Sequence, residues 1–324
     1  MTNSLNNPDC FTRLFGDQTR VAVITGGVSG IGLAAAELFL SAGFEVVAAD
    51  INVELGEHLT ATLNLDARDS HSFRGDCSQG NSSQGNGPRG KFSFIKLDVR
   101  SAEQCNEAIA TLYHRTRRID VLFNSAGLSR RDAQMDEEAK RLLWDVNVCG
   151  TENMCNAVIP YMKRGSFGRI INMGSVVGYN HIPFPVGLLY KQSKEWIHKY
   201  SLKLGLELAM SGITVNALAP GRVLTDLVLK PGAGWVALAP DPIEAFRNGC
   251  SSQRSGTMLL PQEVAAMALF LTSPLMSHVN ASIIDMSDGW GTAGHQAWDA
   301  DSMPEEFYSF RELAQATTST RITA

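Results

Sequence analysis

Apolar runs of strand length alternate along the chain with segments whose apolar positions recur at helical spacing. Strand candidates are Val21 to Ile24, Glu45 to Ala49, Phe92 to Leu97, Val121 to Phe123, Arg169 to Met173, Thr214 to Ala217 and Ser282 to Asp285. Between them the periodicity predicts helices near 30–42, 53–64, 102–116, 136–162, 189–210 and 261–272. Strands apolar at consecutive positions are buried on both faces, as in a parallel sheet covered by crossover helices. The pattern therefore predicts one doubly wound α/β domain over residues 18–289, with seven parallel strands and helices on both faces.

Four segments fall outside that alternation. Residues 1–17 form a polar tail ahead of the first strand, and residues 290–324 are too poor in apolar residues to build a second core. Residues 66–90 are rich in Ser, Gly, Asn and Gln, the composition of a mobile surface insertion. Residues 226–258 mix Pro and Gly with Leu227, Leu229, Trp235, Leu238 and Phe246 without sustained periodicity, which suits a lid over a ligand.

Composition narrows the class of partner. A chain of 324 residues, 44% hydrophobic and 19% charged, excludes wholesale disorder, and a net charge of −5 offers no basic footprint for nucleic acid. The basic run His114-Arg115-Thr116-Arg117-Arg118 ends a helical segment, where cations complement the helix dipole. Met1 to Asp9 lacks the apolar core of a secretory signal and no stretch approaches a membrane span, so the expectation is a cytosolic protein. Six scattered cysteines without C-x-x-C spacing read as reduced thiols, and seven histidines without a partner at ligand spacing predict no metal. A small molecule is the expected partner.

The first strand runs into Thr25-Gly26-Gly27-Val28-Ser29-Gly30-Ile31-Gly32 and then a helix. Glycine lets backbone N–H groups approach a pyrophosphate at a helix N-terminus, so Gly26, Ser29, Gly30, Ile31 and Gly32 form a candidate dinucleotide cradle. Asp50 ends the second strand, where a carboxylate accepts from both adenosine ribose hydroxyls and repels a 2′-phosphate. That favours NAD over NADP. The same residue also fits a simple cap on the helix starting near Val53.

Tyr190 and Lys194 stand four apart at the start of a predicted helix and share one face. An ammonium beside a phenol favours the phenolate and makes tyrosine usable as an acid/base nearer neutrality. Fifteen residues before Tyr190, Ser175 follows a central strand, at the carboxyl end where open α/β sheets bind ligands. By itself each feature also fits an ordinary helix face or turn; together they form a proton-transfer site.

With these motifs in this order, residues 18–289 resemble the short-chain dehydrogenase/reductase family. Thr25-Gly26-x-x-x-Gly30-x-Gly32 has the family's glycine spacing, Asn124-Ser125-Ala126-Gly127 resembles its Asn-Asn-Ala-Gly, and Tyr190-Lys191-Gln192-Ser193-Lys194 matches Tyr-x-x-Ser-Lys. The resemblance implies a Rossmann fold and alcohol/ketone chemistry in which Tyr190 moves the proton, Ser175 holds the substrate oxygen, Lys194 binds the nicotinamide ribose and Asn147 holds a relay water. It further implies that Asp98 and Val99 contact adenine, and that Asn124, Ala126 and Gly127 line the cofactor. Thr225 would reach the nicotinamide carboxamide, with Pro220, Gly221 and Val223 around it. A homodimer or homotetramer built through the helices near 136–162 and 189–210 is implied as well.

Two departures stand out: Ser125 replaces the second asparagine, and the loop from Ser175 to Tyr190 is slightly long. That loop, with His181, Pro183, Phe184 and Pro185, is expected to wall a partly apolar substrate pocket. Two other functions share the fold. One is a catalytically silent nucleotide-binding protein, against which Ser175, Tyr190 and Lys194 argue. The other is an epimerase or dehydratase, which spaces its glycines differently and needs a larger C-terminal substrate domain.

Overall fold

The computed structural model describes residues 19–66, 90–129, 135–179, 187–225, 255 and 257–289. The tails at 1–17 and 290–324, nearly all of the 66–90 insertion, most of the 226–258 lid and the loop carrying His181 and Phe184 lie outside the described residues.

Seven parallel strands form one sheet in the order β3-β2-β1-β4-β5-β6-β7. They are β1 (Val21–Thr25), β2 (Glu45–Asp50), β3 (Phe92–Lys96), β4 (Val121–Asn124), β5 (Gly168–Met173), β6 (Ile213–Pro220) and β7 (Ser282–Met286). Seven α-helices are described: α1 (Gly30–Ser41), α2 (Val53–Asp66), α3 (Ala102–Thr116), α4 (Glu137–Trp144), α5 (Gly150–Arg164), α6 (Leu188–Leu208) and α7 (Pro261–Leu271). The order reverses between β1 and β4, which opens a crevice at the carboxyl ends of those strands.

The sheet is buried on both faces because its strands are apolar at successive positions, as in β1, β4, β5 and β6. One face packs Ile24, Phe123 and Ala48 against Ala35, Phe39, Val264 and Ala268 of α1 and α7, with Leu55 and Leu59 of α2 at its margin. The other packs Val23, Leu122 and Ile170 against Ile109, Leu112, Met154, Val158, Leu204 and Leu208 of α3, α5 and α6. No helix among the described residues is long and apolar enough to cross a membrane.

Two local outcomes refine the sequence pattern. The helix expected over 136–162 is interrupted: between α4 and α5, Asp145–Cys149 winds as a π turn, whose wider coil accommodates one surplus residue. The basic run after α3 is divided among roles. His114 and Arg115 lie in the last turn, Arg117 closes the helix at φ 58° with its N–H on the Tyr113 carbonyl, Arg115 pairs with Glu45, and Arg118 pairs with Asp120 at 2.7 Å.

Beneath the crevice a buried polar chain joins two strands to α6. The Asn124 amide donates to Asn172 Oδ1 at 2.9 Å, and the Asn172 amide donates to Ser201 Oγ at 2.9 Å. Asn172 and Ser201 are fully buried, so removing the middle member strands the groups on either side. Asn172→Ala is expected to lower stability by about 2–4 kcal/mol. A urea midpoint that falls at unchanged m-value would show it, and an unmoved midpoint would show that the chain contributes nothing.

Candidate active site

The glycine-rich turn after β1 is built by backbone pressed against backbone. Gly26 has φ +64°, and a Cβ there would lie 2.9 Å from Ala126 Cα; a Cβ on Gly32 would lie 2.1 Å from the Gly26 carbonyl oxygen. Gly30 also has a positive φ, +52°. Side chains are excluded at these points for lack of space, for lack of an allowed conformation, or both. Ser29, at the N-cap of α1, makes no capping hydrogen bond, so its hydroxyl does not compete for the N–H groups of the first turn. Exposed Ser29 and Gly30, with Ile31 partly buried behind them, therefore present a helix N-terminus suited to an anion.

Asp50 emerges at the end of β2 and accepts the Asn52 N–H at 3.0 Å. The capping role open in the sequence belongs to Asn52, whose Oδ1 accepts the Leu55 N–H at 3.1 Å. Farther along the same edge, both oxygens of Asp98 accept hydrogen bonds from Arg100, at 2.6–3.0 Å, which holds that carboxyl below the usual range. Val99 is buried beside it.

The loop after β4 is anchored from β1: Thr25 Oγ1 accepts the Ser125 and Ala126 N–H groups at 3.2 and 3.1 Å. Gly127 then passes close to Asn147 and Lys194, since a Cβ on it would lie 3.4 Å from Asn147 Oδ1 and 3.8 Å from Lys194 Nζ. The structure does not bring the Asn124 side chain into this group, because its amide is turned into the sheet toward Asn172 and Cys155.

On the far side of the crevice Gly221 N–H donates to the Met286 carbonyl at 2.9 Å, and Val223 forms a bridge with Leu259. These contacts carry the chain from Pro220 back over the first turn, where Thr225 Cγ2 sits 3.6 Å from the Cβ position of Gly30.

Ser175, Tyr190, Lys194 and Asn147 converge between these walls. Burial pushes the Tyr190 phenol up to about 12, and the Ser175 side chain acts in the opposite direction. Lys194, 5% exposed, lies one helical turn on, with Nζ 5.7 Å from the Tyr190 ring centroid and donating to the Met173 carbonyl at 2.8 Å. Burial brings its ammonium down to about 8.

Asn147 occupies the π turn and is fully buried. Its Oδ1 accepts the Leu128 N–H at 2.7 Å; its amide donates to the Leu128 carbonyl at 2.9 Å and to Ser193 Oγ at 3.1 Å. Ser193 in turn donates to the Tyr190 carbonyl at 2.7 Å, so the asparagine is tied to the first turn of α6. Thr151 caps the Asn147 carbonyl at 2.7 Å.

Ser193 enters the sequence reading only as the serine of the Tyr-x-x-Ser-Lys match, without a role of its own, and Thr151 and the Met173 carbonyl do not enter it at all, because their contacts join elements that spacing does not relate. His198 does not enter the sequence reading either, although its i+4 spacing from Lys194 places it on the same face of α6. Among the described residues no group of His, Cys, Asp or Glu side chains could hold a metal ion.

Comparisons with known proteins agree with this geometry. Residues 20–85 and 81–232 match the family described as short chain dehydrogenase. L-fucose dehydrogenase of Oryctolagus cuniculus is 31% identical over 258 residues, which cover 78% of this chain and 79% of that protein. The 3-oxoacyl-(acyl-carrier-protein) reductase of Thermotoga maritima is 32% identical over 275 residues, covering 83% of this chain and 97% of that one. Among solved structures, an actinorhodin polyketide ketoreductase variant with NADPH superposes with a TM-score of 0.72 at 26% identity, over 85% of this chain and 98% of that one.

The depressed Lys194 value has a measurable consequence. Between about 8 and the ordinary 10.5 the unfolded chain holds a proton that the folded chain has released, so this residue makes stability rise with pH across that window. Lys194→Met lacks the effect, whereas tyrosines and cysteines that titrate nearby are common to both proteins. The stability of wild type minus that of the variant is expected to grow by on the order of 1–3 kcal/mol between pH 8 and 10.5. Denaturation at several pH values checks it; a difference that is flat or falls would mean an ordinary, solvated ammonium.

Proposed function

Because the chain belongs to the short-chain dehydrogenase/reductase family, we propose that it interconverts a secondary alcohol and a ketone by hydride transfer, with Tyr190 as general acid/base and NAD preferred over NADP. The observation that carries this is the gathering of Ser175 just past β5 with Tyr190 and buried Lys194, whose Nζ lies 5.7 Å from the Tyr190 ring and beside Gly127 at the carboxyl end of the sheet.

The residues present fit a dinucleotide: the turn from Gly26 through Ser29, Gly30 and Ile31 to Gly32 for the pyrophosphate, and Asp50 for the adenosine ribose. Asp98 and Val99 would meet adenine, and the backbone from Asn124 through Ala126 to Gly127 would line the groove. Lys194 would hold the second ribose, with Pro220, Gly221, Val223 and Thr225 around the nicotinamide. When bound, the nicotinamide supplies the hydride acceptor or donor.

The chain's own groups handle the oxygen and its proton. Ser175 Oγ accepts the Val177 N–H at 3.4 Å, which leaves its hydroxyl proton to point at the phenol oxygen or at a substrate oxygen beside it. In reduction Tyr190 gives its proton to the carbonyl oxygen; in oxidation the phenolate takes the proton from the hydroxyl. The ammonium of Lys194 stabilises that phenolate, and its own retention of a proton sets the range in which it does so. Asn147, bonded to Leu128 and Ser193, holds the π turn against α6 and so fixes the inner wall.

Asp50 carries the cofactor preference. Among the described residues it meets only a backbone N–H, which leaves its charge in place to accept from ribose hydroxyls and repel a 2′-phosphate. Association of two or four copies through α4, α5 and α6 belongs to the same proposal, supported by Leu206 and Met210 of the α6 end, which are 72% and 99% exposed. A cytosolic setting fits the free thiols Cys105, Cys149 and Cys155.

Titration with NADH and NADPH by cofactor fluorescence is expected to show tighter NADH binding, with the preference narrowed in Asp50→Ala; binding of neither would overturn the proposal. In an assay over secondary alcohols and ketones, Tyr190→Phe is expected to keep its NADH affinity and lose on the order of 100-fold or more in turnover. Undiminished turnover in that variant would remove Tyr190 from the chemistry.

A further inference from the structure

One turn beyond Lys194 on the same face of α6 stands His198, only 3% exposed. Its imidazole is wedged between the two glycines that bracket the Ser175 turn. A Cβ on Gly174 would lie 2.5 Å from Nε2 and 2.7 Å from Cδ2; a Cβ on Gly178 would lie 2.7 Å from Cε1 and 2.9 Å from Nδ1. Neither glycine has a positive φ; the ring takes the space a side chain would need, together with the Leu218 carbonyl oxygen, 2.8 Å from the Gly174 position, and the Lys194 carbonyl carbon, 2.9 Å from the Gly178 position. The Tyr179 ring packs against the imidazole with centroids 5.1 Å apart.

The backbone N–H groups of the turn are nearly all used locally. Gly174 donates to the Asn172 carbonyl at 3.1 Å, Val177 to Ser175 Oγ at 3.4 Å, Gly178 to the Ser175 carbonyl at 2.9 Å and Tyr179 to the Val176 carbonyl at 3.2 Å. The buried Ser175 N–H points instead at His198 Nε2, across a long 3.5 Å. Accepting there requires a neutral ring with its proton on Nδ1. Burial and the nearby Lys194 ammonium hold the imidazole down to about 4, against a weaker opposite pull from Glu195, so the acceptor persists through neutral pH.

We propose that His198 is a positioning residue that holds the Ser175 turn from behind, through its wedge between Gly174 and Gly178 and its acceptor for the Ser175 N–H, and so aims the Ser175 hydroxyl at Tyr190. This rests on the proton-transfer roles given above to Ser175 and Tyr190. No contact with substrate or cofactor is assigned to the histidine.

Two variants separate positioning from mere filling of space. His198→Leu keeps a comparable volume without an acceptor; His198→Gln keeps an acceptor at comparable reach. With the best alcohol or ketone from the assay above, His198→Leu is expected to lose about 10- to 100-fold in kcat at NADH affinity within about twofold of wild type, and His198→Gln to recover to within about threefold. Hydrogen exchange followed by mass spectrometry reads the turn without turnover: peptides over 173–179 should exchange faster in His198→Leu and not in His198→Gln, with β4 and β6 unchanged as the control for folding.

Wild-type exchange at 173–179 in His198→Leu, or equal damage in both variants, would overturn the positioning role. A wild-type protein that binds NADH but turns over none of the substrates would count against the proposed function alone, and exchange would still decide the role of His198.

Discussion

Everything at the ligand face depends on how closely two pieces of main chain approach where β1 and β4 part. The Gly32 Cβ position lies 2.1 Å from a carbonyl oxygen, and that of Gly26 lies 2.9 Å from the Cα of Ala126. No rotamer relieves such contacts, because backbone does not move aside as a flexible side chain does. With that approach in place, Thr25 reaches the N–H groups of Ser125 and Ala126, the loop after β4 is pulled inward, and Gly127 is delivered beside Asn147 and Lys194. The glycine turn and the pair Asn147 and Lys194 are thus joined by one short stretch of main chain.

The site also carries an electrostatic tension. A phenol held up to about 12 and an ammonium held down to about 8 are each displaced toward neutrality by the same burial. Around these two groups stand the Ser175 side chain, the Met173 carbonyl and the helix turn that carries them both. The polar chain through Asn124, Asn172 and Ser201 lies directly below and keeps β4, β5 and α6 in register. Rigidity of the sheet and precision of the site have a common source.

The architecture was legible because its signals are redundant. Apolar runs on every strand, intervening helical periodicity and one glycine-rich turn all point to the same parallel sheet, and the strand bounds shift only by a residue or a few at their ends. Ser175, Tyr190 and Lys194 could be grouped from the sequence because spacing on a helix and placement after a strand are local facts, and the structure brings them together. What escaped notice is long-range or conformational. The π turn has no periodic signature short enough to see in a helical pattern, the use of Asn52 as the cap of α2 depends on backbone angles, and the fit of His198 between Gly174 and Gly178 joins residues from two elements. The pairing of the Asn124 side chain with Asn172 inside the sheet is likewise a long-range contact that its motif does not announce.

The wide coil at Asp145–Cys149 has a bearing on how the period in sequence relates to the faces of α4 and α5. One residue of an α-helix advances its neighbours by about 100°, and the wider turn takes up the surplus residue so that α4 and α5 keep the faces that a continuous helix would give them. The apolar periodicity is therefore out of step in the sequence across the coil while it stays in step in space. Asn147 lies within that coil, where the looser winding sets its side chain among Leu128 and Ser193.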